Sequence, residues 1–232
     1  MYEDIDFITL TTSGYIDYTL NCVESLKRTN CDQPFHIHCI GNVGYKILQD
    51  NKVDNTYLID DEKNSNFQEF RKGNWSNITA YKFDVIHKHL KTNKYVCFSD
   101  GDIVYENKDF LKYCLDNIGD NEALFQDNYP KDQNKVDICT GFMFIKSTER
   151  TIKYFDPQNV LNNKNTVGWD DQVYVNNNNS VIKFSLLPKD LFPVGRKYFQ
   201  DHSVITPMMI HFNWVVGNNK RDIMKVYNKW YK

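Results

Sequence analysis

Short apolar runs alternate with segments of helical spacing along the first hundred residues of the chain. Four runs are rich in β-branched and aromatic residues and predict strands; they span residues 6–11, 34–40, 56–59 and 95–99. Between them, apolar residues recur at the spacing of a helix at residues 20–26, 43–48 and 78–90. Ser76 is positioned to cap the third helix. Strands that alternate with helices indicate a parallel sheet with right-handed crossovers.

The pattern beyond residue 105 is less regular. The elements predicted there are a helix at residues 109–117, strands at 123–126, 140–146, 181–187 and 208–212, and a last helix that ends in Lys225, Lys229 and Lys232. No repeat or linker divides the chain, so we predict one α/β domain over residues 1–232. Its central sheet is expected to be Rossmann-like and mostly parallel, flanked by helices, with a mixed C-terminal half.

Composition excludes several classes of protein. A content of 41% hydrophobic and 25% charged residues excludes a disordered chain. A formal net charge of −2 gives no broad basic face for nucleic acid, and no apolar stretch approaches the roughly 18 to 20 residues of a membrane span. An acidic start and six cysteines without a CxxC pair favour a cytoplasmic protein with reduced thiols.

Two aspartates separated by one glycine follow the predicted strand at residues 95–99. That run carries no charge, which suits a central strand buried on both faces. The two-residue period of a strand would place Asp100 and Asp102 on one face, and Gly101 would let the backbone bend and a ligand approach. Two carboxylates about 4 Å apart repel by roughly 4 kcal/mol at an effective dielectric near 20, a cost that a divalent cation reverses. The pair therefore predicts a Mg²⁺ or Mn²⁺ site at the carboxyl end of the sheet, with a solvated turn as the alternative.

Four segments of the chain carry a family resemblance. Residues 95–104 (YVCFSDGDIV) resemble the D-x-D region of GT-A-fold glycosyltransferases, in particular the nucleotide-diphospho-sugar transferases and their retaining galactosyltransferase relatives. Residues 140–145 (TGFMFI), the pair Asp171-Gln172 and residues 211–220 (HFNWVVGNNK) resemble further family segments in the same order. No single segment is specific, but together they extend over nearly the whole chain.

The resemblance implies a metal-dependent enzyme that moves a sugar from a nucleotide-diphosphate sugar to an acceptor hydroxyl on a glycan or protein. It implies a UDP-linked donor, Mn²⁺ or Mg²⁺ as cofactor, and retention of anomeric configuration. The chain lacks the Pro-Trp pair that follows the lysine in the galactosyltransferase relatives, and Thr140 stands where Asn is frequent. The identity of the donor sugar is therefore not carried over.

The resemblance also gives the matched residues roles. The implied roles are metal ligation by Asp100, Asp102 and His211; diphosphate binding by Gly217 and Lys220; base and ribose binding by Thr11, Thr12 and Tyr15; a donor-facing charge at Lys82; and catalytic or donor-sugar contacts by Asp170, Asp171 and Gln172. Residues 1–105 would then form a nucleotide-binding half, and residues 106–232 would complete the metal site and bind the acceptor.

Each role has a structural alternative. The alternatives are a structural histidine at a strand end for His211, an ordinary helix start at Gly217 and Lys220, core packing for Tyr15, a solvated helix face for Lys82, and a helix cap at residues 170–172. They differ from the implied roles in burial and in the groups that each side chain contacts.

Two other functions compete with the transferase. A haloacid-dehalogenase-type phosphohydrolase also uses D-x-D at a strand end, with Asp100 as nucleophile and Asp102 as acid and base. That class predicts the motif near the N-terminus, whereas three predicted strands precede it here. A non-catalytic sugar-binding module would not need metal ligands, histidine and lysine together. An EF-hand is excluded because Val104 and Tyr105 occupy its ligand and glycine positions.

Overall fold

A computed structural model describes residues 1–68, 71–132, 134–162, 169–200, 206–215, 217 and 219–232. The strands are β1 (Ile5–Thr12), β2 (Phe35–Ile40), β3 (Thr56–Ile59), β4 (Tyr95–Ser99), β5 (Ile103–Tyr105), β6 (Ala123–Asp127), β7 (Ile138–Lys146), β8 (Phe184–Leu187) and β9 (Met209–His211). The helices are α1 (Ile16–Arg28), α2 (Asn42–Asp50), α3 (Trp75–Leu90), α4 (Phe110–Asn117), α5 (Glu149–Tyr154), α6 (Pro157–Asn162), α7 (Asp171–Asn177), α8 (Gly195–Gln200) and α9 (Asn219–Val226).

Seven of these strands form one sheet in the order β3-β2-β1-β4-β7-β6-β8. The first-half strands β3, β2, β1 and β4 pair in parallel. Strand β7 runs antiparallel to β4 and β6, and β8 is parallel to β6. The predicted α/β class, with a parallel first half and a mixed second half, is confirmed.

The sheet separates two buried apolar clusters. Alternation along β4 explains the separation, because Cys97 contributes to the cluster that contains residues of α1, α2 and α4. Val96 and Phe98 point to the opposite cluster, which contains residues of α3, α5 and α7. All five residues of β4 are buried. The prediction of a central strand covered on both faces is therefore confirmed.

Several predicted boundaries are wrong, for local reasons. Helix α3 begins at Trp75, so Asn74 occupies the cap position and Ser76 lies inside the helix. Helix α9 ends at Val226, before Lys229, because Asn228 adopts φ 55° and the Lys229 amide donates to the Met224 carbonyl. This is the six-to-one hydrogen bond that closes a helix on a left-handed residue. Strand β8 begins at Phe184 because a 3₁₀ turn occupies Asn179–Val181.

The cysteines and the helices bear on the chain's environment. All six cysteines are unpaired, and all except Cys31 are buried. Burial raises the pKa of the Cys39 thiol to about 12, which keeps it protonated in the core. Across the part of the chain that the structure describes, no helix combines the length and apolarity needed to cross a bilayer.

Candidate active site

The two aspartates of the D-x-D pair lie in a tight turn between β4 and β5. The Asp100 amide donates to the Gly141 carbonyl at 2.7 Å, and the Ile103 amide donates to the Asp100 carbonyl at 3.3 Å. A Cβ at Gly101 would lie 2.5 Å from Thr19 Oγ1 on α1. Glycine is therefore required here because α1 packs against the turn. The prediction that Gly101 lets a ligand approach closely stays a prediction.

His211 reaches the same point from the far end of the sequence. Strand β9 pairs with β5 so that His211 lies opposite Ile103, and the Phe212 amide donates to the Asp102 carbonyl at 3.1 Å. The imidazole Nε2 lies 3.3 Å from Asp102 Oδ1 and 3.7 Å from Asp100 Oδ2. One ligand atom from each of the three residues lies within 4.8 Å of the other two. The two carboxylates and the imidazole fit a divalent cation, and Asp100, whose side chain is 32% exposed, marks the accessible side.

Two buried lysines contact these carboxylates. The Lys220 ammonium contacts Asp102 Oδ2, and it donates to the Tyr15 hydroxyl at 2.5 Å. The Lys82 ammonium lies 3.1 Å from Asp100 Oδ1 and contacts Asp171 Oδ2. Lys82 is only 6% exposed, so the alternative of a solvated helix face is wrong. Both lysines supply positive charge within the cluster.

The charges in this cluster are strongly coupled. Burial raises the pKa of Asp102, but Lys220 and His211 outweigh burial and hold it well below its ordinary value. Burial also raises the pKa of Asp100, and here the opposing effect of Lys82 and His211 is smaller, so the pKa of Asp100 lies above its ordinary value. Burial lowers the pKa of His211, whereas Cys139 and Asp102 raise it, with the balance at about 10. Within this group, the carboxylates attract positive charge in the form of a proton, an ammonium group or a metal ion.

Asp171 belongs to the same cluster, whereas its chain neighbours Asp170 and Gln172 make other contacts. Thr140 Oγ1 donates to Asp171 Oδ2 at 2.7 Å, and Asp171 is buried at the first turn of α7. Asp170 is the N-cap of α7: it accepts from the Val173 amide at 2.8 Å and pairs with Arg71 at 2.7 Å. Gln172 is half-buried, and its backbone carbonyl accepts a hydrogen bond within α7. The structure thus gives Asp170 a capping role and brings only Asp171 of the three against Lys82.

The residues predicted for nucleotide binding lie at the end of β1. Thr11 accepts a hydrogen bond from Thr19 at 2.7 Å, and Thr12 is buried. The Tyr15 hydroxyl lies 3.3 Å from Asp102 Oδ2, and the Tyr15 ring is nearly parallel to that of Phe67, with 6.2 Å between centroids. Tyr15 therefore connects the end of β1 to the metal-ligand cluster. Thr11 is oriented toward α1.

The C-terminal segment approaches the cluster from the other side. Gly217 adopts φ 67°, and its carbonyl accepts from the Tyr18 hydroxyl at 3.4 Å. The Lys220 amide donates to the Gly217 carbonyl at 3.2 Å at the start of α9. This turn directs the Lys220 ammonium toward Asp102, so the structure brings Lys220 and the predicted metal ligands together.

Sequence reasoning missed the residues that surround His211. A Cβ at Gly141 would lie 2.0 Å from His211 Cε1, so the imidazole occupies the space that a side chain on β7 would fill. Gln126 and Cys139 contact the Nδ1 edge of the same ring. The glycine of the TGFMFI segment belongs to the family resemblance, and its physical role is this close contact with His211. Gln126 and Cys139 had no sequence signal, because their proximity depends on pairing between β6 and β7.

The fold and this cluster define a class of protein. A mixed α/β sheet with a D-x-D pair beyond a central strand is the arrangement of the GT-A glycosyltransferases, and solved structures agree on the fold. The galactosyltransferase LgtC, solved with donor and acceptor sugar analogs, superposes with a TM-score of 0.65 at 12% identity, covering 98% of this chain and 96% of that one. A glycosyltransferase involved in glycosylation of the major capsid of PBCV-1 gives a TM-score of 0.62 at 10% identity, covering 96% and 98%.

Residues 40–224 match the family model of the nucleotide-diphospho-sugar transferases, and the chain belongs to that family. The chain is also 25% identical, over 284 aligned residues, to a UDP-galactose:fucoside alpha-3-galactosyltransferase of Dictyostelium discoideum. That alignment covers 99% of this chain and 43% of the relative, so the chain spans less than half of the relative's length. The family predicted from the four sequence segments is confirmed.

Proposed function

We propose that the protein is a metal-dependent glycosyltransferase that moves a sugar from a UDP-linked donor to a hydroxyl of a glycan or protein acceptor. The observation that carries the proposal is the convergence of Asp100, Asp102 and His211, with ligand atoms within 4.8 Å of one another, beside the Lys220 ammonium. Family membership supplies the donor class. The relative's name specifies UDP-galactose, which makes that sugar the first donor to test.

In this proposal Asp100, Asp102 and His211 hold Mn²⁺ or Mg²⁺. The mixed oxygen and imidazole set favours Mn²⁺, because Mg²⁺ takes oxygen ligands almost alone. The bound ion supplies Lewis-acid stabilisation of the departing diphosphate. Lys220 supplies a second positive charge from the start of α9, and Gly217 precedes it with a backbone turn suited to phosphate oxygens. Tyr15, Thr12 and Thr11 contribute the surface for the nucleoside.

Lys82 and Asp171 form the donor-sugar side of the proposed site. Both hydrogen-bonding partners described for the Asp171 carboxylate, Lys82 and Thr140, meet its Oδ2 atom. Asp171 Oδ1 is therefore the oxygen that we assign to a donor-sugar hydroxyl. Asp170 acts indirectly by capping α7, and Gln172 lies one position further along the same helix. We propose retention of configuration, which anomeric NMR of the first-formed product tests directly.

The protonation behaviour of Asp102 does not suit the phosphohydrolase alternative. That mechanism needs Asp102 to donate and accept protons near neutral pH. Its pKa is instead held well below the ordinary value, because Lys220 and His211 outweigh burial. An acid and base with so low a pKa is poorly matched to the reaction. The family match points in the same direction.

The two halves of the chain contribute different parts of the proposed site. Residues 1–105 supply Tyr15 and the D-x-D pair, and residues 106–232 supply His211 and Lys220. We also propose a cytoplasmic location, supported by six unpaired cysteines. Donor and acceptor are the proposed partners, without nucleic acid.

A panel of nucleotide-sugars tests the proposal. The purified chain is incubated with UDP-galactose, UDP-glucose, UDP-N-acetylglucosamine and GDP-mannose, with and without Mn²⁺, and released nucleotide is measured. We expect Mn²⁺-dependent release of UDP, and a thermal shift with UDP and Mn²⁺ together. Stabilisation by orthovanadate alone, combined with phosphate-ester hydrolysis, would refute the transferase.

A further inference from the structure

The Nδ1 edge of His211 faces away from the metal-ligand carboxylates and makes its own contacts. Gln126 Oε1 lies 2.8 Å from His211 Nδ1. Cys139 Sγ lies 3.5 Å from the same nitrogen, and the Asn213 amide donates to that sulfur at 3.5 Å. Gln126 is 0% exposed and His211 is 2% exposed, so water cannot replace these partners. The contacts of this edge decide which ring nitrogen carries a hydrogen.

The orientation of the Gln126 amide is fixed by its second hydrogen bond. Gln126 Nε2 donates to the Phe192 carbonyl at 3.0 Å, and a carbonyl can only accept. The oxygen of the amide must therefore be the atom that faces His211. An amide oxygen 2.8 Å from Nδ1 needs a hydrogen on that nitrogen, because two lone pairs at this distance repel. Nδ1 is accordingly the protonated nitrogen of a neutral His211 ring.

The backbone explains why Gln126 can reach this position. The register between β6 and β7 shifts between Phe125 and Gln126, which pairs Gln126 with Cys139. Both side chains then lie beside the ring that occupies the space above Gly141. An irregularity in the strand pair re-aims a buried polar side chain, as β-bulges near functional sites do.

We propose that Gln126 is a positioning residue that holds His211 in the tautomer able to bind the divalent cation. With the hydrogen kept on Nδ1, the Nε2 lone pair is directed at the gap bounded by Asp102 Oδ1 at 3.3 Å and Asp100 Oδ2 at 3.7 Å. An ion held at Nε2 would leave the hydrogen on Nδ1, where it is donated to Gln126 Oε1. This inference rests on the proposed metal dependence. Outer hydrogen-bond partners of this kind fix ligand orientation in metal sites generally.

The test measures Mn²⁺ affinity of the full chain in the presence of UDP, by electron paramagnetic resonance of free Mn²⁺. Gln126→Met keeps the length and bulk of the side chain and removes the acceptor, and we expect affinity to fall about 10- to 100-fold. Burial favours the protonated form of Gln126→Glu, which keeps an acceptor for His211 Nδ1 and a donor for the Phe192 carbonyl, and we expect it to restore affinity to within about threefold of the wild type. The matched control is Gln33→Met. Gln33 is also buried, and it bonds the backbone of Tyr2 and Ile5 far from the site.

A double-mutant cycle separates a positioning role from a merely structural one. If Gln126 acts through the imidazole, Gln126→Met adds no further loss of Mn²⁺ affinity in a His211→Ala background. Equal weakening in both backgrounds, or wild-type affinity in Gln126→Met alone, overturns the inference. If the Met variant does not fold, Gln126→Asn, which withdraws the amide by one methylene, takes its place. Absence of Mn²⁺ binding by the wild type would instead refute the proposed function.

Discussion

Two clusters of acidic and imidazole groups, some buried and some half-buried, lie at opposite ends of the parallel strands. The amino-end cluster consists of Asp6 on β1, His36 and His38 on β2, and His89 on α3. The carboxyl-end cluster consists of Asp100, Asp102, Asp171 and His211, with Lys82 and Lys220. Both contain side chains that can bind metals, and the residue types alone do not distinguish them.

The amino-end cluster is satisfied by its own hydrogen bonds. Asp6 Oδ2 lies 2.5 Å from His89 Nδ1, and His89 Nε2 lies 2.9 Å from His38 Nε2. His36 Nδ1 lies 3.0 Å from the Tyr57 hydroxyl. One carboxylate thus serves a chain of imidazoles, and no second carboxylate belongs to the cluster as defined. These hydrogen bonds satisfy the polar atoms of the cluster without an added cation.

The carboxyl-end cluster contains more carboxylates than ammonium groups. Three carboxylates face two ammonium groups, which leaves one net negative charge before His211 is counted. The raised pKa of His211 indicates that a proton on the imidazole balances this charge in the absence of a metal, and a divalent cation could take the place of that proton. An excess of negative charge at the carboxyl end of the sheet, rather than the presence of histidine, distinguishes a proposed metal site from a structural network.

The largest expected effect is on activity, from Asp102→Asn. Loss of this carboxylate removes a proposed metal ligand and leaves the Lys220 ammonium without its partner. We expect the rate of UDP release to fall roughly 1,000-fold, since a bound ion contributes several kcal/mol and each 1.36 kcal/mol is tenfold. Steady-state kinetics with varied Mn²⁺ is the measurement. Asp120→Asn, at a side chain that is 97% exposed, is the control, and an unchanged Mn²⁺ dependence of Asp102→Asn would contradict the assignment.

Lys220→Met should change activity and metal affinity in opposite directions. Without the ammonium group, Asp102 is a stronger attractor for Mn²⁺, so we expect tighter Mn²⁺ binding in the absence of nucleotide. Activity should fall roughly 100-fold, because a charge that stabilises the diphosphate is lost. Calorimetric titration and UDP-release kinetics measure the two effects. Lys225→Met, on the exposed side of α9, is the control; weaker Mn²⁺ binding by Lys220→Met would contradict this balance of charges.

The amino-end cluster should affect the pH dependence of stability instead of activity. Burial and the proximity of His89 lower the pKa of His38 to about 3, whereas the unfolded chain binds this proton near pH 6.5. The unfolded state therefore holds more protons between these values, and stability falls as the pH falls through this window. At pH 5 the loss attributable to His38 is about 2 kcal/mol, from 1.36 kcal/mol per pH unit.

Urea unfolding of the full chain at pH 7 and pH 5 measures this loss. Above pH 5 the lowered pKa of Asp6 adds no slope, because its stabilisation disappears only as the pH falls below the ordinary carboxyl range. His38→Gln removes the buried imidazole and should reduce the difference between the two pH values, and His36, whose pKa burial also lowers, contributes part of the remainder. An undiminished difference in that variant would mean that other groups cause it.

The sequence predicted the elements whose signal is local. Strands β1 to β4 are short runs rich in apolar and β-branched residues, and the D-x-D pair is adjacent to one of them, so each can be predicted from a window of a few residues. The pairing of β5 with β9 could not be predicted, because β5 is three residues long and its partner follows about a hundred residues later. The burial of Lys82 and the contact of Gln126 with His211 depend on the same long-range packing.

The amino-end cluster was missed for a related reason. His36 and His38 alternate along a strand in a way that suits an exposed face, and His38 is buried where His89 of α3 meets it at 2.9 Å. His89 and Asp6 are 83 positions apart, and only the assembled sheet places their side chains 2.5 Å from each other. Local patterns can identify charged residues at strand ends, but the balance of charge that separates the two clusters is a tertiary property.

The smallest expected effect comes from a group with similar partners on the surface. Asp17 pairs with Arg221 at 2.8 Å and also contacts Lys232, so one carboxylate faces two cations at the surface. Its side chain is 40% exposed, however, and water screens the attraction. We expect Asp17→Asn to change the free energy of unfolding by less than about 1 kcal/mol, and by less still in 0.5 M NaCl. A loss above about 2 kcal/mol in urea unfolding would mean that the number of cations around a carboxylate, and not its burial, determines how much these ion pairs contribute to stability.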